Sequence, residues 1–118
     1  IDNRARFGGG GICWGYDCNP VVAENTITGN VAWEGPGGGI YFDGDQPVSN
    51  RAPAGRVGFV AHNLVAGNSA VEGGGMYFYY WGFFTVTSNL VKGNTAVERG
   101  GGVSCALTTL DFWNNTIS

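Results

Sequence analysis

Charge is scarce in this chain: Asp, Glu, Lys and Arg make up 13% of its 118 residues, and His62 is the only histidine. Phosphate recognition needs clustered Lys and Arg. Six scattered basic residues against nine acidic ones, a net charge of −3, exclude nucleic acid as a partner. No run of about 18 apolar residues is present, so no membrane-spanning segment is predicted. No charged stretch followed by an apolar one opens the chain, so no signal peptide is recognised either. The chain lacks an initiator Met and begins on Ile1-Asp2-Asn3, which points to a mature product or an excerpt. Paired C-x-x-C motifs and C-x-x-C-H are missing, which excludes the usual zinc and haem attachments. An apolar stripe of helical period is absent as well.

Glycine is what the chain has in excess, with 22 residues, alongside 43% hydrophobic and 14% aromatic residues. The apolar content excludes disorder. The glycine content argues against a conventional core, and a repeat explains it. NTITGNVAWE at 25–34, NLVAGNSAVE at 63–72 and NLVKGNTAVE at 89–98 are copies of one phrase, and Asn115-Thr116-Ile117 begins a fourth. Each phrase runs into glycines and then one apolar residue, Ile40, Met76 or Val103, with Ile12 after Gly11 in the same series. From that apolar residue to the next leading Asn is 13, 23, 13 and 12 residues, so the basic period is 26 to 28 with one insertion.

A period in this range signals a solenoid. Short segments rich in Val, Ile, Thr, Phe and Tyr between glycine turns are strands. The third coil should carry strands near Met76 to Tyr79, Phe84 to Thr87 and Leu90 to Val91, with turns at the glycines, at Asn89 and at Gly93-Asn94. The expected fold is thus an all-β parallel β-helix of about four coils, three short strands per coil. Residues 1–118 form one segment, either an excerpt of a longer solenoid or a self-stacking subunit.

Stacking predicts columns. Inward positions should be Ile12/Ile40/Met76/Val103, Val22/Val60/Val86/Phe112 and Ile27/Val65/Val91/Ile117. Trp14, Phe42, Phe78 and Cys105 should form an interior file beside the first, while Cys13, Tyr41, Tyr77 and Ser104 point out. Asparagine above asparagine can bond amide to amide, so Asn25, Asn63, Asn89 and Asn115 should form one ladder and Asn30, Asn68 and Asn94 a second.

The combination of GGGI or GGGM, V-x-x-N and N-x-I-x-G-N-x-A resembles the right-handed parallel β-helix repeats of the pectin-lyase-like superfold. It is nearest in motif to bacterial polymorphic outer-membrane and surface β-helix repeats, and the likeness runs from Gly8 to Ser118. The resemblance implies an extracellular or cell-surface location and either a structural, adhesive role or a carbohydrate-active one. Fold alone does not choose between them. An adhesive segment stacked on copies of itself, or on further β-helix coils, into a fibre is the leading expectation. A polysaccharide lyase or glycan-binding module is the alternative.

Candidate chemistry lies where the chain departs from its repeat. The insertion DGDQPVSNRAPAGR, 43–56, carries Asp43 and Asp45, which can supply oxygen ligands to calcium, and Arg51 and Arg56, which can contact a uronate. No other cofactor is implied. Tyr41, Tyr77 and Tyr79, on the outer side, would make a flat face for sugar rings or for a protein. Glu34, Glu72 and Glu98 recur in one column and should either splay into water or hold a cation. His62 shares a column with Glu24, Ser88 and Asn114 and is expected at a turn. Cys13 and Cys18 can close a small disulfide loop, leaving Cys105 as a buried small hydrophobe.

Overall fold

The computed structural model describes residues 1–15, 18–44, 57–80 and 82–118. Among these residues sixteen short strands form four parallel sheets, each with one strand from every coil. The first sheet holds β1 (Arg4–Ala5), β5 (Val31–Ala32), β9 (Ser69–Glu72) and β13 (Thr95–Arg99). The second holds β2 (Ile12–Trp14), β6 (Ile40–Asp43), β10 (Met76–Tyr79) and β14 (Val103–Ala106). The third holds β3 (Val21–Ala23), β7 (Val57–Ala61), β11 (Phe83–Thr87) and β15 (Thr109–Trp113). The fourth holds β4 (Thr26–Thr28), β8 (Leu64–Ala66), β12 (Leu90–Lys92) and β16 (Thr116–Ile117). Among the described residues no helix is long and apolar enough to cross a membrane.

The parallel β-helix is therefore as expected, but each coil carries four paired segments, not three. The extra sheet is built from the residues after Gly-Asn, which the repeat disguises as a connection. Its inward column is Ala5, Ala32, Ala70 and Ala96. Alanine gives little strand signal, yet Ala32 and Ala70 are buried.

All three predicted apolar columns are in register. Ile12, Ile40, Met76 and Val103 pair in sequence, as do Val22, Val60, Val86 and Phe112, and Ile27, Val65, Val91 and Ile117. The middle coils bury their members fully, and the same side chains form one contiguous core. Phe42, Phe78 and Phe84 meet in it with ring centroids 5.2 to 5.3 Å apart. Phe84 has room because Gly58 is its partner on β7, and a Cβ there would run into the Phe84 ring. The ends of the interior file differ from expectation: Trp14 and Cys105 hold the right register beside Phe42 and Phe78 but are exposed, because each lies in an end coil.

Both asparagine ladders form, and they are what turns the corners. Asn25, Asn63 and Asn89 each donate from Nδ2 to the Oδ1 of the next Asn, ending at Asn115, over 2.9 to 3.2 Å. The second ladder begins one rung earlier than predicted, at Asn3, and passes through Asn30 and Asn68 to Asn94. Backbone N–H groups of the same residues donate to the same Oδ1 atoms. Buried polar groups at a tight bend are thus satisfied by the coil beyond.

One left-handed residue precedes each rung. Glu24, His62, Ser88 and Asn114 have φ of +55° to +59°. That is the conformation Asn, Asp and glycine tolerate best. Asp2, Gly29, Gly67 and Gly93 do the same for the second ladder. At the glycine corner Gly9, Gly37, Gly73 and Gly100 supply the positive φ, while Gly38 and Gly74 lie flat against the next coil's backbone, where a Cβ would strike a carbonyl. That is why the phrase ends in a run of glycines and not in one.

Candidate functional site

The outer face of the second sheet gathers three of the four described tyrosines. Parallel pairing stacks Tyr41 on β6 beside Tyr77 on β10, and alternation brings Tyr79 to the same side. Their rings touch in a file, Tyr41 to Tyr77 at 5.9 Å and Tyr77 to Tyr79 at 5.8 Å. The predicted flat platform is not what results, since successive rings are tilted by 43° and 36°. Tyr77 is also buried, at 7% exposure, because Tyr41 and Tyr79 flank it in the file. Tyr41 and Tyr79 remain partly open.

Beside the file lies a groove of about 310 Å³, lined by Glu34, Gly35, Pro36, Tyr41, Val71, Glu72, Tyr77 and Tyr79. Two of the three column glutamates are on its rim, each held by an arginine from the neighbouring coil. Arg6 Nε donates to Glu34 Oε2 at 2.7 Å, and Arg99 Nε to Glu72 Oε1 at 3.1 Å, with a second contact through the Arg99 terminal nitrogen. Glu98 is not in the column. A bulge between Ala96 and Arg99 sets Arg99 opposite Glu72, so the expected repulsion between stacked acids becomes an ion pair.

The groove's electrostatics follow from these contacts. Hydrogen bonding from Arg99 holds the Glu72 carboxyl below its ordinary value, against an opposing effect of burial. Burial, then hydrogen bonding to Glu72, pushes the Tyr77 phenol up to about 12. Burial and the charge of Asp43 raise the Tyr41 phenol further. A hydrogen bond to Tyr80, followed by burial, raises Tyr79. All three phenols are neutral at physiological pH, with Tyr77 beside the Glu72 carboxylate, Tyr41 beside Asp43 and Tyr79 beside Tyr80. The arrangement can hold hydroxyl-rich or aromatic ligands.

Other sequence candidates are dispersed. Asp43 sits at the end of β6 opposite Tyr79 and close to Tyr41 and Cys13. Asp45, Arg51 and Arg56 lie outside the described residues, so the calcium and uronate constellation has no described geometry. Among the described residues no three His, Cys, Asp or Glu side chains converge on a metal position. Cys13 is a free, exposed thiol beside Asp43, so it does not take part in the disulfide expected of it. Burial, then Asp43, pushes that thiol up. Cys105 is exposed, not the buried hydrophobe expected.

The two ends of the solenoid form a second candidate surface. Edge strands β1 to β4 lie at one end and β13 to β16 at the other. The latter end exposes Leu107, Phe112, Trp113 and Ile117 at 38 to 67%. The ladders make these ends opposite in character. Among the described residues, the backbone N–H groups of Asn94 and Asn115 find no acceptor, and the Oδ1 atoms of Asn3 and Asn25 receive no donor. Their signal was present in the repeat itself, but its polarity was not.

No protein-family model, curated protein or solved structure matches the chain.

Proposed function

We propose that the chain is a structural, adhesive segment of an extracellular β-helix, lengthening a rod by stacking coil on coil. The observation that carries this is the complementarity of the ladder ends. Donors of Asn94 and Asn115 at one end are of the same kind, in the same two columns, as those that Asn3 and Asn25 direct at Asn30 and Asn63 inside the solenoid. A further coil with the same pattern, from a longer chain or from another copy, completes both ladders and pairs four strand edges at once. Such a head-to-tail contact is heterologous and does not close on itself. Apolar side chains at the Ile117 end add area to it. The extracellular setting rests on the resemblance to surface and secreted β-helix repeats.

Negative-stain electron microscopy with light scattering tests stacking directly. Rods, or masses at multiples of 12.4 kDa that grow with concentration, are expected. Ile117→Lys places a charge in the apolar end column and should return the protein to single 12.4 kDa particles. Wild-type particles that stay at 12.4 kDa at every concentration refute self-stacking.

A further inference from the structure

The tyrosine groove on the second sheet is separate from the ends and has no part in stacking. We propose that it is a binding site for a neutral oligosaccharide. Pyranose rings present C–H faces of slight positive character, which settle on the negative faces of aromatic rings, and Tyr41 and Tyr79 offer two such rings, partly open, in one file. The tilts of 43° and 36° step the floor, so that successive sugars of a twisted chain meet successive rings. Tyr77 lies buried between them, and with Glu72 it lines the same groove, so floor and wall adjoin.

The rim selects the ligand's charge. Among the described residues no Lys, Arg or His lines the groove, and there a uronate, sulfate or phosphate would face Glu34 and Glu72 without a cation of its own. A cationic ligand would have to displace Arg6 and Arg99 from those same carboxylates. Sugar hydroxyls do neither. A carboxylate offers about four lone-pair directions, and an arginine occupies only one or two. The remainder point acceptors, already oriented by the ion pairs, at donors above the tyrosines. A groove of about 310 Å³ is at the small end of ligand sites and takes a short stretch of chain.

A printed array of neutral, acidic and amino oligosaccharides, followed by calorimetric titration with the neutral hexasaccharides retained, tests this. Neutral glycans should bind, Tyr79→Ala and Glu72→Gln should each weaken them at least tenfold, and Phe59→Ala, exposed on the third sheet, should leave them unchanged. Circular dichroism confirms that each variant retains its sheets. Retention of no neutral glycan, preference for acidic glycans or cationic peptides, or undiminished binding by Tyr79→Ala overturns the assignment. Running Ile117→Lys alongside keeps the two proposals apart: loss of rods with binding intact sinks neither site, whereas rods without binding sink only the groove.

Discussion

Replacing Asn68 by alanine should be among the most damaging single changes in this protein. Asn68 is fully buried, and its side chain makes four hydrogen bonds to three neighbours. Its Oδ1 accepts from the backbone N–H and the Nδ2 of Asn30, both at 2.9 Å. Its Nδ2 donates to the Ile27 carbonyl and to Asn94 Oδ1, again at 2.9 Å. Asn68→Ala leaves the two buried Asn30 donors without their acceptor and removes the side-chain bond to the Ile27 carbonyl. An unsatisfied buried polar group costs about 1–3 kcal/mol, so the loss should be about 3–5 kcal/mol once partial relaxation is allowed. A domain of this size has about 5–15 kcal/mol to lose. Asn115→Ala, on the outermost rung, leaves its neighbours open to solvent and should cost about 1 kcal/mol. Equilibrium urea unfolding followed by far-ultraviolet circular dichroism measures both. Because coils of a solenoid can unfold separately, hydrogen exchange at the Asn30 amide gives a local check. If Asn68→Ala and Asn115→Ala shift the midpoint equally, the ladder is not what holds the corners.

Glycine corners give a second contrast. Gly74→Ala drives a Cβ into the Thr95 carbonyl and should cost about 3 kcal/mol, whereas Gly67→Ala meets open space and carries only the left-handed penalty of about 1–2 kcal/mol; melting temperatures of the two variants should rank in that order. The Glu72–Arg99 pair sets an acid limit: because the folded carboxyl is held below its unfolded value, its stabilisation is present above the unfolded pKa and disappears as pH falls through the folded one. The stability gap between wild type and Glu72→Gln should therefore shrink on acidification below the ordinary carboxylate range, and a gap that widens there contradicts the pairing. Tyr77 sets an alkaline limit with the opposite sign. Its phenol, pushed up to about 12, contributes stability below the ordinary tyrosine pKa that is lost as pH rises through the folded value, so tyrosinate absorbance should lag in wild type and lose that late step in Tyr77→Phe.

Legibility in the sequence followed the repeat. Ile40, Met76 and Val103 could be aligned because each follows glycines, and alignment by one motif places every later residue of the coil, since a parallel register with no offset maps sequence equivalence onto spatial contact. Asn3 escaped notice because the residues around it, Ile1-Asp2-Asn3, lack the phrase that marks the other rungs. The first sheet escaped because its inward column is alanine, whose strand preference is weak. Tyr77 looked exposed by alternation, and alternation was right about direction. Burial came from Tyr41 and Tyr79, contributed by a neighbouring coil and a neighbouring position.

Periodicity by itself determined that this chain is a parallel β-helix, the three apolar columns that face its axis, and every stacked asparagine except Asn3. A local pattern suffices for these, because each coil repeats the neighbour relations of the last. Tertiary structure alone decided the polarity of the ladders, the pairing of Glu34 and Glu72 with Arg6 and Arg99, and the groove between acids and tyrosines. Those features depend on the bulge before Arg99 and on side chains from separate coils meeting in space, and no single stretch of sequence contains both partners.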